Sequence, residues 1–248
     1  MEISIKNVAE LTEYNKYLLS ETHQIWWFRG QSDYSWKLQP SLWRDYTKVQ
    51  ESYMTREFLF KARTRTTSYP GNDNNSGWIS LMQHHGLPTR LLDLSKSPLI
   101  ALYFAVDSYH RHSIKISEKD ACIWMLCPGL MNEYFGNEEL IYPLDSISSL
   151  KLINQAFYTD QIENLGVLAA SAIETHYRMI MQQSAFTIHS EPNPLDSLQP
   201  NAVWLRKIKI PQSALAEIAF ELEILGIRLS SIFPDLDNLS KEIKYFHR

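Results

Sequence analysis

The chain has 248 residues, of which 44% are apolar and 21% are charged, and this balance excludes a disordered or fibrous protein. Its 24 basic and 28 acidic residues give a net charge of −4. Proteins that bind nucleic acid regardless of sequence usually carry a basic excess, so this class is disfavoured.

The predicted elements alternate irregularly between helix and strand. Apolar periodicity and capping signals predict helices over residues 8–20, 48–66, 78–85, 98–109, 211–225 and 236–246. Runs of β-forming residues predict strands over residues 25–28, 122–126, 185–189 and 202–210. Residues 31–44, 68–77 and 88–97 are expected to be loops or irregular. This order predicts a mixed α+β fold, with residues 1–248 forming a single domain.

The first residues contain charged side chains and no apolar signal segment, and the longest apolar run, 98–106, is about half of a membrane span. We therefore expect a cytoplasmic protein that does not bind a membrane. Cys122 and Cys127 are expected to be buried and structural, because no histidine pair stands at ligand spacing to complete a metal site.

Four of the 7 tryptophans fall within residues 26–43. Trp26 and Trp27 belong to the predicted strand, so at least one should lie in the core. Trp36 and Trp43 lie on the irregular segment after Arg29. They are therefore candidates for the aromatic rim of a nucleotide site.

Arg29 stands at the predicted end of that strand, directly before Gly30. A guanidinium in such a place presents two parallel donors to a phosphate or a carboxylate. The alternative is that Arg29 pairs with a core carboxylate such as Asp93 and only fastens the fold. The residues alone do not separate these two interpretations.

A second polar group lies beside the apolar helix 98–109, where buried polar side chains must find partners. Its members are Gln83, His84, His85, Thr89, Arg90, Asp93 and Ser95. Arg90 and Asp93 are expected to form an internal salt bridge. Adjacent histidines point about 100° apart on a helix, so His84 and His85 cannot conveniently bind one metal ion. The chain contains no nucleotide-binding glycine loop and no nucleophile or zinc-protease motif.

Four segments carry a resemblance to a known family: WWFRGQSDYSWKLQPSLWR, LMQHHGLPTRLLDLSKSPLIALYFAV, RMIMQQSAFTIH and SIFPDLDNLSKEI. In this order they resemble the bacterial FRG domain family, which takes its name from a Phe-Arg-Gly motif, here residues 28–30. The resemblance covers about residues 22–243. Leu94 departs from it, where an aromatic residue is common, and so does Ser184, where glycine is common.

The family is similar in layout to the ADP-ribosyltransferases, and this similarity implies a split β-sheet core and NAD as substrate. In those enzymes the arginine of the first strand grips the dinucleotide, which implies this role for Arg29. Thr89 or Ser95 would match their Ser/Thr-bearing strand. Gln182 or Gln183 would stand where a catalytic glutamate is expected, and Glu174 or Asp93 could supply the missing carboxylate.

The resemblance and the polar clusters together select the candidate site residues. The residues expected to bind NAD are Arg29, Gln31, Trp36, His84, His85, Thr89, Arg90 and Ser95. The residues expected to be catalytic are Gln182, Gln183 and Asp93.

Three hypotheses follow. The protein is an ADP-ribosyltransferase or NAD glycohydrolase, acting as a toxin or antiphage effector on a macromolecular target. Alternatively, it recognises a nucleotide, a nucleic-acid end or a protein without chemistry. In that case the basic side chains nearby would contact phosphates, unless residues 56–65 are only a solvated helix face. These side chains are Arg44, Arg56, Lys61, Arg63 and Arg65. The third hypothesis treats the polar cluster as a buried network that fixes the fold.

Overall fold

A computed structural model describes residues 3–110, 117–158, 163–174, 176–199 and 202–247. The strands β1 to β8 span Ile3–Ser4, Trp27–Gln31, Leu91–Ser95, Ala121–Leu126, Tyr142–Pro143, Val167–Ser171, Ser184–His189 and Leu205–Ile210. The helices α1 to α12 span Val8–Thr22, Leu42–Asp45, Lys48–Ala62, Asn75–His84, Pro98–Ala105, Pro128–Tyr134, Ile147–Ile153, Tyr177–Met181, Leu195–Leu198, Leu215–Ile224, Leu229–Ile232 and Leu236–Phe246. The predicted α+β class is confirmed.

The eight strands form one mixed sheet in the order β1-β8-β4-β2-β3-β7-β6-β5. The strand β2 pairs with β4 along its whole length, but it meets β3 through the single residue pair Phe28 and Ser95. The sheet therefore parts between β2 and β3 into two four-stranded halves. The split β-sheet core that the likeness to ADP-ribosyltransferases implies stays a prediction.

Two apolar cores cover the sheet. The larger core packs α1, α5 and α10 against one face, and the smaller core packs α4 and α7 against the other face of β3, β7 and β6. Along β3, Leu92 and Leu94 enter the larger core and Leu91 enters the smaller one. Because side chains alternate along a strand, Asp93 lies on the same side as Leu91, next to the parting of the sheet.

Gly30 lies where β2 and α5 approach each other most closely. A Cβ atom at this position would stand 1.8 Å from the carbonyl oxygen of Ala101 and 2.6 Å from the amide nitrogen of Ala105. No side chain fits in that space, so the glycine of the Phe-Arg-Gly motif allows the strand to pack directly on the helix.

The predicted end of the first long strand is wrong. This strand, β2, runs through Arg29 and Gly30 to Gln31, and Arg29 lies opposite Trp124 of β4. The glycine was taken as a turn signal, whereas its role is close packing on α5. Residues 88–97 also differ from the prediction, because they contain β3. Asp93 interrupts the apolar pattern there because it faces the gap in the sheet.

Each predicted helix overlaps a helix of the structure, but those predicted over 48–66 and 98–109 extend past α3 and α5, which end at Ala62 and Ala105. The helix α2 begins within residues 31–44, which were expected to be a loop. Gly86 and Gly226 have φ values of +77° and +79° just after α4 and α10, and the Asp235 side chain accepts a hydrogen bond from the Asn238 amide at the start of α12. The strand Val167–Ser171 has no counterpart in the prediction, since its alanines have low strand propensity.

The tryptophan cluster divides between core and surface. Trp26 and Trp27 are both buried, as are the free cysteines Cys122 and Cys127. Across the described ranges, no three His, Cys, Asp or Glu side chains group as metal ligands. Every helix in those ranges is too short or too polar to span a bilayer.

Replacing Gly30 by alanine is expected to lower the free energy of unfolding by about 3 kcal/mol, because β2 must move away from α5. Urea denaturation measures the change. Gly71→Ala is the matched control, since a Cβ atom there meets nothing within 4 Å. Equal stability of the two variants would contradict the close packing of β2 on α5.

Candidate functional site

A cleft of about 510 Å³ opens where β2 and β3 part. Its floor is formed by Arg29 to Gln31 and by Asp93 to Ser95, while α4, α5 and α8 form its walls. Trp36 and Arg44 contribute from the segment that follows β2. A volume of this size is typical of small-molecule sites.

Arg29 links the two halves of the sheet at the floor of the cleft. Its Nη1 donates a hydrogen bond of 2.5 Å to the main-chain carbonyl of Asp93. Its Nε is buried and has no hydrogen-bond partner among the described residues. Burial lowers the pKa of Arg29 and the charge of Asp93 opposes this shift, but a guanidinium remains protonated at neutral pH. The floor thus holds a positive charge with an unused donor.

Asp93 supplies a carboxylate beside that charge. The Gln83 Nε2 donates to Asp93 Oδ2 at 2.5 Å, and the Thr89 hydroxyl donates to Gln83 Oε1. The pKa of Asp93 is raised above its ordinary value, because desolvation by burial outweighs the opposing effects of Arg29, the Gln83 hydrogen bond and Arg178. Because Thr89 fixes the Gln83 amide, one carboxylate oxygen of Asp93 has a set orientation.

The far wall combines a cation with neutral rings. The Arg178 guanidinium lies over the Phe233 ring, 4.6 Å from its centroid. The His84 ring stacks on that of His176, with 4.6 Å between centroids. Burial, and then repulsion from His176, His85 and Arg178, lowers the pKa of His84 to about 4. His84 is therefore neutral at pH 7.

Seven of the eleven predicted site residues line the cleft: Arg29, Gln31, Trp36, His84, Asp93, Ser95 and Gln182. Three of them also have structural partners. Gln31 accepts from Trp124 Nε1 at 2.8 Å, Ser95 Oγ donates to the Gln182 carbonyl at 2.7 Å, and Gln182 Nε2 donates to the Ile232 carbonyl at 3.2 Å. These contacts hold the walls of the cleft in place. The roles predicted for the seven residues in binding or catalysis stay predictions.

The other four predicted residues are not among those that line the cleft. Thr89 donates to Gln83, and His85 follows the last residue of α4, with its ring edge to face against that of His84 at 5.0 Å between centroids. Gln183 occupies a bend with φ +47°, where its carbonyl accepts from the Lys96 amide. The glutamine that faces the cleft is therefore Gln182.

Arg90, the fourth, has a different position from the one predicted. It is completely buried, and its Nε and Nη2 donate to the two carboxylate oxygens of Glu51 at 2.9 and 2.6 Å. The expected Arg90–Asp93 salt bridge is wrong, because residues three apart on an extended chain point to opposite faces. Arg90 fastens β3 to α3.

Trp43, proposed for the rim, is also in the interior, where the Arg90 guanidinium lies 5.9 Å from its ring centroid. The side chain of Trp36 is 48% exposed and does reach the cleft. Glu174 is exposed and outside the lining, so Asp93 is the carboxylate at the floor.

Two cleft cations were not selected as site residues from the sequence. Arg178 lies within RMIMQQSAFTIH, in which only the glutamines are predicted site residues, and Arg44 belongs to the predicted basic surface. On that surface, Lys61 pairs with Glu57 of the same helix, and Arg63 Nη2 donates to Asn72 at 2.9 Å. The sequence does contain one signal for Arg178: it is a basic residue within a segment that carries the family resemblance.

Residues 24–113 match the family model of the FRG domain. The chain contains an FRG domain. This match confirms the resemblance to the FRG family, and the domain includes β2, α4, β3 and α5 with Arg29 and Asp93. Arg178 and Gln182 lie beyond the matched residues, so both parts of the chain form the cleft. Comparison with curated proteins and with solved structures finds no match. The likeness to ADP-ribosyltransferases stays a prediction.

Arg90→Met is expected to lower the free energy of unfolding by about 3–5 kcal/mol, because it leaves the Glu51 carboxylate buried without its cation. The double variant Glu51→Leu with Arg90→Met should lose less than the sum of the single losses. Denaturant unfolding measures both quantities. Arg56→Met, on the exposed side of α3, is the control and should change stability by about 0.5 kcal/mol or less. A small loss for Arg90→Met would show that Arg90 does not have this structural role.

Proposed function

We propose that the cleft binds NAD and that Arg29 holds its pyrophosphate. The observation that carries this proposal is the buried Nε of Arg29, which has no hydrogen-bond partner among the described residues. An unpaired buried donor is costly, and the cost is higher when the donor is charged. A phosphate oxygen arriving from the cleft would satisfy this donor and form a charge-assisted hydrogen bond.

Two further features of the cleft support a dinucleotide. Arg44 lies near enough to Arg29 to lower its pKa by repulsion, so the two cations together suit a group with two negative charges. Trp36 at the rim and Phe104 on α5 offer aromatic surfaces on which nicotinamide or adenine can stack.

The proposed reaction is the transfer of ADP-ribose to a macromolecule or to water, as expected of a toxin or antiphage effector. The bond between nicotinamide and the ribose C1′ breaks, and neutral nicotinamide leaves with the bonding electrons. A nucleophile of the acceptor forms the new bond to C1′ and releases a proton to solvent. Positive charge develops on the ribose in between, so a fixed carboxylate nearby stabilises the transition state.

Within this proposal, Asp93 takes the place of the glutamate that the sequence lacks. It stands at the floor of the cleft, and its orientation is set by Gln83. Gln182 is uncharged and its amide is bonded to the Ile232 carbonyl, while Gln183 lies outside the lining. The carboxylate is therefore the better candidate for stabilising a cation.

The alternative is a module that recognises a nucleotide, a nucleic-acid end or a protein and does no chemistry. The uncharged, bonded amide of Gln182 favours it, since this residue stands where the likeness to ADP-ribosyltransferases implies a glutamate. The two functions share the Arg29 contact and differ in whether nicotinamide is released.

Isothermal titration with NAD, together with chromatography of released nicotinamide, tests the proposal. Arg29→Met should weaken NAD binding by about 10- to 100-fold, which corresponds to one charged hydrogen-bonding group. Asp93→Asn should keep binding and slow nicotinamide release by about 100-fold or more. Lys16→Met, on the exposed surface of α1 and outside the cleft lining, is the control for both measurements.

Arg29 also joins β2 to β3, so Arg29→Lys and a thermal melt accompany Arg29→Met to separate binding from folding. Absence of NAD binding in the folded parent protein would refute the proposed function. NAD binding without any release of nicotinamide would favour the recognition module.

A further inference from the structure

We propose that Arg178 and Phe233 form a second anion-binding subsite in the cleft, and that it takes a phosphate monoester carried by a second ligand. The inference deepens the proposed function and rests on it for the assignment of NAD to the Arg29 side. The second ligand would then be the acceptor, and its chemical class would be a nucleotide or the phosphorylated end of a nucleic acid.

The first observation is that an aromatic ring, and no hydrogen bond among the described residues, fixes the position of the Arg178 guanidinium. It lies over the Phe233 ring, and Phe233 meets Phe104 edge to face with 6.1 Å between centroids. Within the part of the chain that the structure describes, no oxygen accepts a hydrogen bond from this guanidinium. Five donors in a planar fork, fixed by an aromatic ring and facing a cleft, match an oxyanion.

The second observation is the place of Arg178 relative to Asp93. The charged groups that act on Arg29 include Asp93 and Arg44, whereas those that act on Arg178 are Asp93 and Asp235. Arg29, Asp93 and Arg178 all line the same cleft, and Asp93 is the one charge that acts on both cations. A pyrophosphate that spanned both arginines would also be repelled by the Asp93 carboxylate, which acts on both of them. The two arginines therefore suit two separate anionic groups.

The third observation concerns the charge that could neutralise Arg178 within the protein. The Asp235 carboxylate accepts from the Asn238 amide and side chain at the start of α12. It therefore caps the helix and forms no ion pair with Arg178 in the described residues. Positive charge remains available on this wall.

The neighbours of Arg178 favour a nucleotide over a simple anion. Phe104 lines the cleft beside it, and the neutral His84 ring lies close enough for Arg178 to lower its pKa. An aromatic face beside a guanidinium combines stacking on a base with binding of its phosphate. The subsite would thus hold an acceptor nucleotide next to the ribose that reacts.

Nuclear magnetic resonance of the full chain labelled with ¹⁵N-arginine tests the subsite directly. The Arg178 Nε–H signal, assigned from its loss in Arg178→Met, should shift saturably with inorganic phosphate, with a dissociation constant on the order of 1 mM. It should shift at lower concentration with AMP. A comparison of one short DNA strand with and without a 5′-phosphate then separates a nucleic-acid end from a free nucleotide as the source of the phosphate.

The variants separate the two subsites. Arg178→Met should weaken AMP binding about tenfold or more, and weaken it more than NAD binding, whereas Arg29→Met should show the opposite order. Arg178→Lys keeps the charge without the planar fork and should give an intermediate loss. Lys16→Met, on the exposed surface of α1 and outside the cleft lining, is the control and should alter neither ligand.

A signal of Arg178 that does not respond to phosphate would overturn the inference, and so would equal losses of NAD and AMP in the two arginine variants. If NAD fails to bind while Arg178 responds to phosphate and AMP, the anion subsite stands and the proposed NAD function fails. The two claims can therefore fail separately.

Discussion

The cleft depends on one hydrogen bond across a gap in the sheet. The strands β2 and β3 share the single pair Phe28 and Ser95, and Arg29 then reaches over to the main-chain carbonyl of Asp93. Without this contact the two halves of the sheet would meet at one residue pair alone. The contact uses Nη1, and Nε of the same guanidinium has no partner in the part of the chain that the structure describes. Arg29 therefore joins the two halves of the sheet and also presents a positive charge to a ligand that enters the cleft.

The polar residues around this gap fall into two groups. Gln31, Ser95 and Gln182 use their side chains to hold neighbouring segments together, as the buried-network hypothesis expects for some of the cluster. Arg29 and Arg178 instead line the cleft, and each has donors without a partner among the described residues. A protein that needed only a stable core could have packed these positions with apolar side chains. The guanidinium N–H groups without a partner among the described residues therefore indicate a ligand site.

Much of this arrangement could be predicted from the sequence, because polar residues beside an apolar helix are expected to converge. Arg29 and Asp93 are predictable in that way, whereas the sequence does not decide which of His84 and His85 faces the cleft. Sequence patterns do not report strand register, so the positions of Arg90 and of Gly30 within the sheet were missed. Arg178 belongs to a five-residue helix far along the chain, and only the pairing of β7 with β3 brings it to the cleft.

The central claim is that Arg29 grips a pyrophosphate between the halves of the sheet. A crystal structure of the protein with ADP-ribose, which carries the pyrophosphate and cannot release nicotinamide, tests this claim most directly. A pyrophosphate oxygen should lie within about 3.2 Å of Arg29 Nε, with Asp93 beside the ribose. Ligand bound elsewhere, or bound in the cleft with its pyrophosphate away from Arg29, would contradict the account.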